Sequence, residues 1–395
     1  MSATLFSDVM LPSGDRADVL VSGGRISRIA GPNTLTADTA ELVPGAGLLL
    51  APSFVEGHIH LDKTLLGLPF ISHLPGDSVG ERIEREKQLR RSVTLPVLER
   101  GAKLIEQIVP FGTGLVRSHV DIDTEIGLAH LEQLLALRER YARLIDLQIV
   151  AFPQSGILRD PGTADLLDAA LSNGADLIGG LDPAGIDGDI SGHLDVVFGL
   201  AEKHGAGVDI HLHDGGLLGL FELTDIAART KAAGLGGRVA VSHAFCLGEP
   251  PEIGPTLEAL AGAGVAIMTN GPGPVPMPPV KRLHAAGVTV FAGSDNIRDA
   301  WAPYGNGDML ERAMLIGYRQ GLLADADIAL TFDMATHHAA QALGVTTYGI
   351  AEGQPADLVL MSAGSPPEAV ATRPARRMVM KAGLVVAANG VLVGR

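Results

Sequence analysis

The sequence predicts an α/β protein: a (β/α)8 TIM barrel carrying a small β-sandwich formed by both termini. Three observations predict it. Short apolar runs alternate with helical stretches through the middle of the chain, eight times over. Strand-like segments broken by Gly, Pro and Asp occupy both ends. Histidines and an aspartate gather at the C-terminal ends of the candidate barrel strands, where barrel enzymes keep their sites.

Taken in order, residues 17–21 and 24–29 are short strands between turn residues, and 357–361, 377–380 and 384–386 repeat the pattern near the other end. Neither set is large enough to stand alone. Pairing of the two into one domain, residues 1–50 with 355–395, is therefore expected, leaving 51–354 as the barrel. Its strands are expected near 54–60, 114–121, 146–152, 176–181, 208–213, 238–244, 264–269 and 288–294. Their continuous apolarity suits parallel strands buried on both faces. Helices are expected over 95–108, 128–142, 164–173 and 194–204. A further helical stretch, 307–320 with 332–342, precedes the final strands.

Composition narrows the function. With 395 residues, 46% of them hydrophobic, the chain can bury a large core. The 50 glycines are scattered among apolar runs, as many tight strand–helix turns require. A net charge of −15, spread along the chain, repels phosphate backbones and anionic membranes. Only 4% of residues are aromatic, too few for a base-stacking platform, so no nucleic acid and no membrane partner is expected. The single cysteine, Cys246, excludes an internal disulfide and a Cys-based zinc site, and reads as a small buried apolar residue. No cationic stretch followed by an apolar one opens the sequence and no uninterrupted apolar run is of bilayer length, so neither a secretory leader nor a membrane span is expected. A cytoplasmic homo-oligomer acting on a small molecule is expected.

The chemistry lies at the strand ends. The first barrel strand finishes in His58-Ile59-His60, the fifth in His211-Leu212-His213-Asp214, the sixth in Ser242-His243 and the eighth in Ser294-Asp295-Asn296. Five of the 13 histidines thus converge on one barrel mouth. Side chains two apart on a strand share a face, so His58 and His60 can reach one ion while Ile59 turns toward the helices. An isolated H-x-H is commonly just two polar residues near a turn. A third histidine on strand 5 and a carboxylate on strand 8 displace that reading. His58, His60, His211 and Asp295 offer three nitrogens and one oxygen, with room for water. That set suits one divalent ion per chain, Zn first and Fe or Mn next, and not Ca or Mg.

The stretch 54–64 (FVEGHIHLDKT) resembles the first barrel strand of the cytosine-deaminase-like amidohydrolases. So do 117–121 (RSHVD), 150–154 (VAFPQ), 241–243 (VSH) and 293–296 (GSDN), in order and across nearly the whole chain. The resemblance implies a mononuclear site with the four ligands named, His243 beside the activated water, and Gln154 on the substrate ring. One position departs from the pattern. Bacterial cytosine deaminases carry a glutamate three residues after the strand-5 histidine, where this chain has Asp214, preceded by His213. With Lys63 three residues after His60, the form is closer to N-isopropylammelide isopropylaminohydrolase-like enzymes of the same group. The implied activity is that of an aminohydrolase removing an exocyclic amine from an aminopyrimidine or aminotriazine.

In such a reaction Asp295 accepts a proton from the attacking water, and His243 and His213 stabilise the adduct and pass a proton to the departing nitrogen. Asp214 or Lys63 completes that relay or binds the ring, with a surface ion pair to Asp62 as the plain alternative for Lys63. Asn296 and Trp301, just past strand 8, either wall the pocket or simply pack. His119 and Asp121 are expected to hydrogen-bond internally behind strand 2 rather than to ligate. His337-His338 is expected to be structural, and residues 271–274 form either a rigid loop over the pocket or a plain turn. Two rivals stand beside this reading. A cyclic amidohydrolase typically needs a carboxylated lysine from strand 4, and residues 175–183 contain none. A non-catalytic binding barrel would be expected to have lost ligands, and all four are present.

Overall fold

The computed structural model describes residues 3–36, 39–74, 76–249 and 252–393; the outermost positions of the expected terminal domain, 1–2 and 394–395, fall outside that range. Eight parallel strands lie side by side in chain order: Phe54–Ile59, Thr113–Asp121, Asp146–Phe152, Leu177–Leu181, Gly207–Leu212, Val239–His243, Val265–Thr269 and Val290–Ala292. These are the eight strands the apolar runs predict. Burial is unbroken along the second, fourth, sixth and seventh, because helices cover one face and side chains fill the other.

The eighth strand is short, and it meets the first through a seam. The Asp295 amide donates to the His58 carbonyl at 2.7 Å, beside a parallel bridge between Ile59 and Asp295. Two glycines allow this approach. A Cβ on Gly57 would lie 2.6 Å from the Ala292 carbonyl oxygen, and one on Gly293 would lie 2.7 Å from the His58 nitrogen.

A separate nine-stranded sheet draws on both chain ends. Leu49–Pro52 pairs antiparallel with Leu358–Met361, joining the N-terminal strands Ala3–Met10, Arg16–Ser22 and Arg25–Ala30 to the C-terminal strands Arg376–Lys381, Leu384–Ala388 and Val391–Leu392. Phe6, Val19, Ile26, Leu50, Leu358 and Met380 build its own small core. The Arg376 guanidinium binds Asp308, and Lys381 reaches Asp146 at 2.5 Å, so ion pairs tie the sheet to the barrel.

The helices Val97–Ile108, Ala129–Arg140, Thr163–Ser172 and Ile190–His204 match the expected ones. Two differences appear. The expected 332–342 helix is two, Asp325–Met334 and His337–Ala342, because Thr336 departs from helical geometry (φ −135°) and turns its hydroxyl back to the Phe332 carbonyl at 2.9 Å. A helix outside the eight expected units, Val79–Ser92, arises in the long connection after the first strand. It starts where Ser78 Oγ accepts from the Glu81 amide at 3.2 Å. His338 accepts a structural place, its Nδ1 3.2 Å from the Val290 carbonyl and its ring stacked on His284. Among the described residues, no helix is long and apolar enough to cross a membrane.

Candidate metal centre

The first strand delivers His58 and His60 to the barrel mouth, both buried, while the intervening Ile59 joins the main apolar core. His211 arrives from the fifth strand and Asp295 from the turn after the eighth. Asp295 Oδ1 lies 3.5 Å from His58 Nε2 and 3.3 Å from His60 Nε2, and the Nε2 atoms of His60 and His211 lie 3.4 Å apart. Ligand bonds of about 2.0–2.2 Å in a tetrahedron give ligand–ligand edges of about 3.3–3.6 Å. The three separations fall in that range, and the donors form two overlapping clusters, His58, His60, His119 and His211, and His58, His211, His243 and Asp295, each with its ligand atoms within 4.8 Å of one another.

Their electrostatics agree. Burial first, and then the neighbouring Lys63, push His60 down to about 4. Burial and the adjacent imidazoles hold His211 well below the usual imidazole range. Burial opposes the charge of Asp295, yet His243, His58 and His60 hold its carboxyl well below the ordinary carboxylate range. Neutral imidazoles beside an ionised carboxylate are the ligating forms.

A second layer orients them. Asn270 Nδ2 donates to Asp295 Oδ2 at 2.9 Å, which leaves Oδ1 for the cation. His58 Nδ1 lies 2.8 Å from Ser242 Oγ, and that hydroxyl donates to Asp209 Oδ1 at 3.0 Å. A carboxylate only accepts, so the serine must spend its proton on Asp209 and accept from His58. This fixes the tautomer that bares Nε2 toward the site. Arg117 Nη1, 2.9 Å from Asp209 Oδ2, anchors the far end.

His243 ends the sixth strand at φ +73°, and Asp182 and Asp295 also sit at positive φ after the fourth and eighth. Such strained backbone at three strand ends re-aims side chains into the mouth. The His243 ring stacks on His213, centroids 4.6 Å apart and planes at 21°. The pair is driven apart in pKa. Burial holds His243 well below the usual range, whereas Asp182, with Oδ2 2.9 Å from His213 Nδ1, raises His213 against its own burial.

Lys63 and Gln154 meet on another wall. Lys63 Nζ lies 3.0 Å from Asp121 Oδ1 and 3.4 Å from Glu86 Oε2, donates to Gln154 Oε1, and sits 5.6 Å from the centre of the Trp301 ring. Burial works against its charge, but Asp121, Glu86 and Asp62 raise it well above an ordinary lysine. An ammonium held this way brings charge and hydrogen-bond donors to that wall. Asn296 turns its amide to Asp299 at 2.7 Å, and Asp299 is pushed up to about 7 by burial. Asp214 is aimed elsewhere. It accepts from the Gly185 amide at 2.9 Å and lies against Glu222, whose carboxyl is raised to about 8 by burial and by Asp214.

His119 stands closer to the ligands than an internal partner behind strand 2 would. Its ring centre is 4.0 Å from that of His58, its Nε2 is 3.6 Å from Asp209 Oδ1, and neither ring nitrogen makes a hydrogen bond among the described residues. Asp121 does bond internally, accepting from Gln154 at 3.2 Å. Cys246 is fully buried and its thiol is pushed up to about 12 by that burial, as a small apolar residue should be. Glu86, Asp182, Asp209 and Asn270 line the site without being revealed by the strand-end motifs; for the last three the one available signal was a polar residue in or just after an otherwise apolar strand, and for Glu86 there was none.

Comparison with known proteins places this geometry. The amidohydrolase family profile matches residues 111–387. The chain is 32% identical over 383 residues, 95% of this chain and 94% of the relative, to N-isopropylammelide isopropyl amidohydrolase of Pseudomonas sp. strain ADP. The crystal structure of N-isopropylammelide isopropylaminohydrolase from Burkholderia multivorans superposes with a TM-score of 0.95 at 44% identity, covering 100% of both chains. That of 5-methylcytosine deaminase from Klebsiella pneumoniae, liganded with 5-fluorocytosine, superposes with a TM-score of 0.89 at 29% identity, covering 99% of both.

Proposed function

The chain belongs to the amidohydrolase family and is a hydrolase of C–N bonds other than peptide bonds, and from that premise we propose that it is a metal-dependent aminohydrolase displacing an exocyclic amine from an aminotriazine or aminopyrimidine. The observation that carries this reading is the convergence of His58, His60, His211 and Asp295, with Asp295 3.5 Å from His58 and 3.3 Å from His60, and His60 3.4 Å from His211. One zinc ion is proposed, with Fe or Mn the nearest substitutes by donor chemistry. Relatives that span the chain include, by their names, enzymes of N-isopropylammelide and of 5-methylcytosine, which supports the substrate class.

When bound, the ion supplies Lewis acidity that makes water a competent nucleophile near neutral pH. The residues do the rest. Asp295 is the proposed acceptor for the proton of the attacking water. Neutral His243 meets the charge developing on the ring with a hydrogen bond, while His213, whose pKa Asp182 raises, hands a proton to the departing nitrogen and regains one through the proton that Asp295 took from water. The C–N bond breaks, the amine leaves protonated, and the ring keeps the oxygen. Lys63, Gln154 and Trp301 form the proposed substrate wall, with Asn296 bordering it; Asp214 is assigned to the support of the neighbouring loop rather than to proton transfer.

We take residues 51–354 as the catalytic domain and 1–50 with 355–395 as its accessory domain, in a cytoplasmic homo-oligomer. A lysine-bridged pair of metals finds no lysine in residues 175–183. The test is an amine- and ammonia-release screen of the metal-loaded chain over amino-substituted triazines, pyrimidines and purines, with a chelated control. Release from an aminotriazine or aminopyrimidine is expected. Inert behaviour toward the whole panel, or ring opening in place of amine release, refutes the reading.

A further inference from the structure

Helix Val79–Ser92 is the feature that the eight-unit barrel does not call for, and it crosses the mouth. Its charged sequence would suit a solvated surface helix, yet Ile83 and Glu86 are buried. Ile83 packs in an apolar cluster with Phe152, Leu181 and Ile186 from the third and fourth strands and their loops. Near its end Arg90 reaches Asp123 at 3.0 Å, which pins the helix to the loop after the second strand.

Glu86 Oε2 is a hub. It accepts from Trp301 Nε1 at 2.5 Å and from Gln154 Nε2 at 2.6 Å, and it lies 3.4 Å from Lys63 Nζ. Those three partners come from the connections after the eighth, third and first strands. Both amide hydrogens of Gln154 are taken by carboxylates, Glu86 and Asp121, and its oxygen accepts from Lys63. The amide is thereby fixed in one orientation.

We propose that Glu86 is the positioning residue of the substrate wall: from the helix that crosses the mouth it holds Trp301, Gln154 and Lys63 in the arrangement that receives the heterocycle. This rests on the reading of the mouth as the substrate site. Glu86 governs binding of the ring and leaves the ligand set untouched, since its contacts lie on the wall and not among His58, His60, His211 and Asp295. A buried carboxylate accepting from an indole and an amide loses both bonds when truncated, and each freed donor is left seeking water.

Trp301 is the single tryptophan of the chain, so its emission reports the hub directly. In the full-length, metal-loaded protein, Glu86→Ala is expected to raise acrylamide quenching of Trp301 about twofold and KM about tenfold, with kcat within about threefold and metal content unchanged. Glu86→Gln keeps an acceptor for the indole and loses the charge facing Lys63. It is expected to show near-native quenching and a KM raised about threefold. Native quenching in a folded Glu86→Ala protein overturns the proposal, as does a fall in kcat at unchanged KM. Should the alanine variant not fold, Glu86→Gln decides, and a native KM there overturns it. If the unaltered protein releases no amine from any ring, the substrate reading fails by itself; quenching still decides whether Glu86 holds the wall.

Discussion

Replacing Ser242 by alanine removes one buried hydroxyl and leaves every proposed ligand in place. In the structure that hydroxyl accepts from His58 Nδ1 at 2.8 Å and donates to Asp209 Oδ1 at 3.0 Å. Without it the Nδ1–H of His58 loses its acceptor, and the imidazole is free to move its proton to Nε2, the atom facing Asp295. Asp209 keeps Arg117 at 2.9 Å, so the carboxylate remains paired and the barrel should still fold. One orphaned buried donor costs about 1–3 kcal/mol. Charged to the ligating tautomer alone, this predicts a loss of about 10–100-fold in metal affinity, the range typical of outer-shell partners. The assay is competition for zinc between the apoprotein and a chromophoric chelator, with thermal unfolding of the apoprotein as a control. Affinity within about twofold of the unaltered protein, at equal apoprotein stability, would refute the tautomer argument.

His243→Ala should lower kcat by about 3–4 kcal/mol of barrier, two to three orders of magnitude, while metal content stays native; co-purified metal and steady-state rates check it. Asp182 raises the pKa of His213 against burial, so if cationic His213 serves the reaction, activity is present below that pKa and lost as pH rises through it. Asp182→Asn removes the raising charge and should move the basic limb of the kcat/KM profile to lower pH; a limb that stays put assigns it to another group. Removing the cation with a chelator should abolish amine release and lower the unfolding temperature, and zinc should restore both. Equal melting with and without metal would show that the four donors do not hold an ion tightly.

The strands, and the gathering of the proposed ligands at their ends, were legible because each is announced by local pattern. His58 and His60 obey the two-residue period of a strand, and His211 and Asp295 end apolar runs. Glu86 was not legible, because residues 79–92 are mostly charged and nothing local distinguishes the one carboxylate that faces inward. Asp182 and Asp209 lie in or beside apolar strands, but their partners, His213, Ser242 and Arg117, belong to other strands that only barrel closure brings near. Asp214 illustrates the converse. Its place in the motif pointed to the ring, and the structure adds a partner the motif does not name, the Gly185 amide of the adjoining loop at 183–187.

With the ligand set proposed above, the glycine-lined seam between the first and eighth strands sets when the molecule can acquire its cation. The imidazoles of residues 58 and 60 exist early in synthesis, the third follows, and the acid arrives only with the strand that locks the cylinder. Tight ion capture is therefore a checkpoint for completed folding, since no partly wound intermediate owns the full set of donors.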